Sequence, residues 1–302
     1  MNLSYYGPMW MGTPLQKLDG IVYDTGSGKL LVESSECSNC NGTKFKVAPT
    51  SSTFQWDAVN TASAGTSYLD GTSLTGNWAT DRTCPASDET SCAANFRFIA
   101  IKSQSGLKTT EDGICGMWSG QHASENTLYM TQLKAKGAVS EATFSWYMVD
   151  KSSTSYIDFG TPDASIIGDG SLVLWIPVQS KSAWWQNTLY GLKWGENATT
   201  PGQQVTFNSL KAITDTGSSC LVGPKDYVDL IYNEIIGKLS QTSPNNSWGH
   251  IFFCSEKSKL PKFSLNFGGY WFELTPDDYV IVVSQNSSLI CALCIQSVAG
   301  YT

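Results

Sequence analysis

Short apolar or alternating runs, separated by clusters of Gly, Ser, Asn and Pro, recur along almost the whole chain. The runs GIVYD (20–24), NFRFIAI (95–101), TFSWYMV (143–149), SYIDFG (155–160), LVLWIPV (172–178), KFSLNFG (262–268) and YVIVVS (279–284) each predict a β-strand. Helical periodicity is rare. SENTLYMTQLKAKG (124–137) predicts one helix, stopped at a Gly, and PKDYVDLIYNEIIGKL (224–239) a second, opened by a Pro. In the latter, Tyr227, Leu230, Ile231 and Ile235 are expected to form the buried face. The pattern is that of an all-β chain with a few short helices.

Length and composition sharpen this picture. A chain of 302 residues exceeds what one small core organises, so two lobes are expected. The composition, 41% hydrophobic, 12% aromatic and only 15% charged, is that of a folded β-rich protein. A net charge of −7 with only two arginines, Arg82 and Arg97, argues against a nucleic-acid partner. The acidity suits work at low pH without excessive positive charge. No run is long enough to span a membrane, and no signal-peptide pattern precedes Tyr5.

Nine cysteines narrow the chemistry further. Cys37 and Cys40 form a C-x2-C that the two distant histidines, His122 and His250, do not complete as a zinc set, so a local disulfide is expected. Cys84 and Cys92 flank a polar loop and can pair. Cys254 is free to pair with Cys291 or Cys294, while Cys115 and Cys220, in apolar runs, read as buried free thiols. Glycosylation sequons begin at Asn2, Asn41, Asn197, Asn245 and Asn286. No metal or other cofactor is called for.

The candidate chemistry lies in a repeat. Asp24-Thr25-Gly26-Ser27 follows an apolar run and opens a Gly turn; Asp215-Thr216-Gly217-Ser218 does the same in the second half. A Gly at the third position lets backbone amides approach a carboxylate, and Ser27 and Ser218 can each donate a hydroxyl to the neighbouring Asp. If the two turns met, Asp24 and Asp215 would lie side by side and share one proton over an acidic range. The ionised member can then activate a water while the protonated one polarises a carbonyl, which is amide hydrolysis without metal or covalent intermediate. Two histidines are too few for a serine or metal hydrolase.

With these residues in view, the chain resembles the pepsin-like aspartic endopeptidases of the two-lobed eukaryotic type. YYGPMWMGTPLQ (5–16), FSWYMV…YIDFGTPD (144–163), LWIPVQSKSAWWQNTLYGLKWG (174–195) and LPKFSLNFGGYWFELTPDDYV (260–280) carry the likeness alongside the tetrads. The resemblance implies an all-β, two-lobed pepsin-like acid protease fold, with lobes over 1–165 and 166–302. It implies a dyad of Asp24 and Asp215, with Thr25 and Thr216 making cross-lobe contacts. It makes SYLDGTSLTG (67–76) a flap in which Tyr68 closes over substrate, supported by Asp70, Gly71 and Thr72. An extended peptide or protein substrate, a monomer, and a lysosomal, vacuolar or extracellular location follow as expectations.

The chain also departs from the family. Leu31 stands where a Trp is usual, and Lys29 where a neutral polar residue is common. In the first lobe DGICGM (112–117) supplies the strand of two hydrophobic residues and Gly that braces the Asp loop; the same interval from Asp215 runs past Thr302. The second lobe is accordingly expected to be incomplete, without that strand and the final ones. A catalytically silent peptide-binding relative, or an inactive fragment, is the alternative reading.

Overall fold

The structure, a computed structural model, describes residues 5–59, 61–120, 127–149, 154–162, 173–194, 203–240, 243–245, 249–284 and 289–298. In the first half, eight strands form one sheet: β1 (Tyr6–Met11), β2 (Gln16–Asp24), β3 (Leu30–Glu33), β4 (Gln55–Trp56), β5 (Ser63–Ser67), β6 (Ser73–Cys84), β7 (Ala93–Ser105) and β8 (Gly113–Gly116). Helix α1 (Tyr129–Ala135) follows, then the hairpin of β9 (Phe144–Tyr147) and β10 (Tyr156–Phe159).

The second half contains β11 (Gln186–Trp194), β12 (Gln203–Ile213), β13 (Leu221–Pro224) and helix α2 (Lys225–Ile236). It continues through β14 (Ser243–Asn245), β15 (Gly249–Phe253), β16 (Phe263–Phe267), β17 (Tyr270–Leu274) and the short helix α3 (Pro276–Tyr279). Last come β18 (Val280–Ser284), β19 (Ile290–Leu293) and β20 (Ile295–Val298). The architecture is mainly β, that of a pepsin-like fold. One core gathers residues from Met9 to Leu133; another, built on Leu189, Trp194, Phe263 and Tyr279, serves the second half.

What positions the site is the order β2-β8-β3-β7 in the first sheet. Strand β8 runs parallel to β2, with Asp24 opposite Gly116, and antiparallel to β3. All four residues of both β3 and β8 are buried, which suits the apolar run Leu30–Val32 and the Ile114–Cys115 pair, since a strand covered on both faces has no polar side. The carboxylate of the buried Glu33, at the end of β3, accepts the Gly42 N–H (2.8 Å). The entrance to β8 is fixed by the buried Asp112 carboxylate, which accepts N–H groups from Gly20 (2.8 Å) and Thr43 (2.5 Å).

Several expectations are met and several are shifted. The strands expected at 95–101, 262–268 and 279–284 are present as β7, β16 and β18. Over 173–178, however, the chain forms no strand; Trp175 is 89% exposed and Pro177 has no N–H to give a ladder. In α2 the face turned to the core is Val228, Ile231, Tyr232 and Ile235, at the i, i+3, i+4, i+7 spacing, with Tyr227 beside it; Leu230 points to solvent.

Disulfides join Cys37 to Cys40, Cys84 to Cys92 and Cys254 to Cys291. Cys115 is a buried free thiol. Cys220 is not: it is bonded to Cys294, because the parallel pairing of β13 with β20 brings the residues just before each strand together. The sequons at Asn2, Asn197 and Asn286, and His122, lie outside the described residues, whereas Asn41 is exposed. Among the described residues no helix is long and apolar enough to cross a membrane.

Candidate active site

Each tetrad begins where a strand ends: Asp24 is the last residue of β2, and Asp215 follows shortly after β12. The two turns meet across the halves of the molecule in a reciprocal arrangement. Thr25 N–H donates to Thr216 Oγ1 (3.0 Å), and Thr216 N–H to Thr25 Oγ1 (2.9 Å). Each hydroxyl then donates onward, from Thr25 to the Thr214 carbonyl (2.7 Å) and from Thr216 to the Tyr23 carbonyl (2.8 Å). Every polar group in this knot has a partner, so its burial carries no desolvation penalty left unmet.

The knot places the carboxyl groups of Asp24 and Asp215 within hydrogen-bonding reach of each other. Gly26 N–H holds Asp24 Oδ1 at 2.8 Å, and Gly217 N–H holds Asp215 Oδ1 at 2.9 Å. Both glycines are required by space: a Cβ on Gly26 would fall 2.6 Å from Asp215 Oδ2, and one on Gly217 only 2.3 Å from Asp24 Oδ1. Asp24 is 5% exposed. Burial, aided by the Asp215 charge, raises its pKa from 3.8 to about 6, against the opposing hydrogen bonds from its own turn.

The hairpin between β5 and β6 carries Tyr68. Its tip is closed by Tyr68 N–H to Thr72 O (2.8 Å) and by Asp70, which accepts the Thr72 N–H (2.8 Å) and hydroxyl (3.0 Å). Gly71 takes φ +89° there, a conformation that suits glycine. The Tyr68 phenol is turned inward, and burial together with the nearby Asp24 charge raises its pKa. The Ser27 and Tyr68 hydroxyls are both buried without a well-formed hydrogen bond, although Ser27 lies close enough to Asp24 and to Tyr68 to affect both. Ser218 departs from the expected symmetry: its hydroxyl donates to the Cys220 carbonyl (3.0 Å) rather than to Asp215.

The two turns also differ in support. The first is held by Met117 N–H to Asp24 O (2.7 Å), Gly116 N–H to Lys29 O (2.8 Å) and Trp118 N–H to Ser27 O (3.1 Å). Among the described residues no strand occupies the matching position between β12 and β13. Ile213, Leu221 and Val222 are 47%, 37% and 46% exposed there. Residues absent from the sequence expectation also reach the first turn, namely Trp118, Trp184 and Trp185. The doubled WW of Trp184 and Trp185 is visible in the sequence, but nothing in its local pattern says what it touches.

Two Asp turns clasped by threonines and a hairpin carrying an inward tyrosine thus stand together. A family model described as eukaryotic aspartyl protease matches residues 4–301, and the chain belongs to that family. It is 30% identical to pepsin-3 of Oryctolagus cuniculus over 289 residues, covering 93% of this chain and 69% of the relative. It is similar to pepsin A of Canis lupus familiaris (30% over 297 residues; 94% and 70% covered) and gastricsin of Mus musculus (29% over 289 residues; 93% and 69% covered).

Proposed function

We propose that this protein is an aspartic endopeptidase that hydrolyses peptide bonds at acidic pH, with Asp24 and Asp215 as its catalytic dyad. The observation that carries the reading is the reciprocal threonine clasp, which sets the two carboxyl groups close together and so supports the sharing of one proton between them. A water held between them loses a proton to the ionised member as it attacks the carbonyl carbon, and the protonated member donates to the carbonyl oxygen. Collapse of the tetrahedral adduct then returns one hydroxyl proton to the dyad and expels the amine, which takes a proton from the dyad, so that the dyad again holds one proton. The substrate lies extended between the dyad and the Tyr68 hairpin, bound through its backbone.

The protein works as a two-lobed monomer, the lobes spanning 1–165 and 166–302, in a secretory, lysosomal or vacuolar compartment. Four disulfides support such an oxidising route. Glycosylation at Asn41 fits its exposed side chain. Cleavage of a denatured protein near pH 4, blocked by a statine-type inhibitor and lost in Asp24→Asn, is the test; activity surviving that substitution overturns the dyad.

The second reading, a silent peptide-binding relative, is favoured by one observation, the thinner support of the Asp215 turn. Peptide binding by the wild-type protein without cleavage, at every pH from 3 to 7, would select it.

A further inference from the structure

Upstream of β11 the chain passes through Ser182–Trp185, and this short stretch is bonded next to both tetrads. On the first side Ser119 donates its N–H to Ala183 O (2.9 Å) and its hydroxyl to Ser182 O (2.9 Å). The Trp185 indole N–H donates to Met117 O (2.7 Å), and the Trp184 indole N–H to Gly26 O (3.0 Å). On the second side Thr214 N–H donates to Trp185 O (3.2 Å).

These partners are not remote from the carboxylates. Gly26 is the residue whose own N–H holds Asp24 Oδ1, and the Met117 N–H binds the Asp24 carbonyl. Thr214 directly precedes Asp215, and its carbonyl accepts the Thr25 hydroxyl. The rings are locked as well. Trp184 meets Trp118 edge-on (5.5 Å, 66°), Trp118 lies against Gly28, where a Cβ would be 2.4 Å from the ring, and Trp185 meets Phe144 edge-on (5.4 Å, 81°).

The threonine clasp joins the turns at one place, and contacts at a single place leave the turns free to rotate about it. A second tie, displaced from the clasp, removes that freedom. It matters most here because Asp215 lacks the overlay that Asp24 receives among the described residues.

Resting on the endopeptidase reading, we propose that Trp184 and Trp185 are positioning residues: together they form a bridge that fixes the Asp24 turn relative to the Asp215 turn. Trp184 acts by holding the Gly26 carbonyl. Trp185 acts by joining the Met117 carbonyl, through its indole, to the Thr214 amide, through its own backbone. Neither touches the reacting atoms in this role. The polar end of Trp184 points into the turn, while the remainder of the side chain leaves it 40% exposed.

Trp184→Phe keeps a ring for the Trp118 contact and removes only the N–H. Trp175→Phe, at a residue 89% exposed, is the control. Peptide cleavage across pH 3–7 gives kcat and KM, and carbon-detected NMR gives the Asp24 carboxyl titration independently of turnover. The titratable groups facing Asp24 are Asp215, Tyr68 and Cys115, all unchanged in these variants.

For Trp184→Phe we expect kcat to fall about three- to tenfold, the worth of one hydrogen bond, with KM within about twofold. The Asp24 titration moves upward, because a loosened Gly26 holds the carboxylate less well. Trp175→Phe changes neither. Unchanged kcat and titration overturn the proposal, as does a rise in KM alone, which would mark Trp184 as a substrate contact. If the wild type cleaves nothing, the endopeptidase reading fails, yet the titration still decides the bridge. If Trp184→Phe does not fold, Trp185→Phe is put through the same measurements with the same expected directions.

Discussion

Replacing Asp24 by Asn should make the protein more stable at neutral pH while abolishing its proposed activity. Asp24 is 5% exposed and faces Asp215, and its pKa rises from 3.8 to about 6 through burial first and the neighbouring charge second. Between about pH 4 and pH 6 the folded protein therefore keeps a proton that the unfolded chain has lost. Stability falls as pH rises through that window, and the whole deficit is present above it. At about 1.4 kcal/mol per pH unit, the shift corresponds to roughly 3 kcal/mol at pH 7. Asn is neutral, nearly the same shape, and still accepts from the Gly26 N–H; its amide can also donate to Asp215. Urea unfolding followed by tryptophan fluorescence should show Asp24→Asn more stable by up to about 3 kcal/mol at pH 7, with the gap closing by about pH 4. A variant no more stable than wild type at pH 7, or a gap independent of pH, would refute the reasoning.

Four other outcomes are expected. Thr216→Val removes the donor to Tyr23 O and the acceptor for Thr25 N–H, and should cost about 2–4 kcal/mol in chemical denaturation. Gly217→Ala forces a methyl to 2.3 Å from Asp24 Oδ1, so kcat should drop about 100-fold in a peptide assay even where the fold survives. Joint replacement of Cys220 and Cys294 by Ser opens a link across 74 residues and should lower stability by about 2–5 kcal/mol; non-reducing peptide mapping of the wild type should recover that pair. Tyr68→Phe deletes a buried hydroxyl that makes no hydrogen bond, so stability should stay within about 0.5 kcal/mol while kcat/KM for an extended peptide falls about tenfold.

The strand content was legible because a strand buried on one or both faces leaves a local record. NFRFIAI announces β7, and GIVYD leads directly to Asp24. Where a segment's fate depends on distant neighbours, local pattern misleads. LVLWIPV has strand-like residues but no ladder to join over 173–178, and so lies in the open. The expected face of α2 was turned too far, because Leu230 and Val228 are equally apolar and only the sheet behind the helix chooses between them. Cys220 looked like a buried thiol because its pairing with Cys294 rests on a parallel β13–β20 contact spanning most of the second half.

By itself the sequence determined the β-rich class, the two acid turns and the residue types around each carboxylate, because these are written in contiguous residues. The tertiary structure alone decided that Thr25 and Thr216 clasp each other, that Asp24 is the more deeply buried acid with its proton held to about pH 6, and that Trp184 and Trp185 bridge the two turns. Hydrogen bonds and desolvation act between groups close in space, and the groups that meet at this site come from segments far apart along the chain.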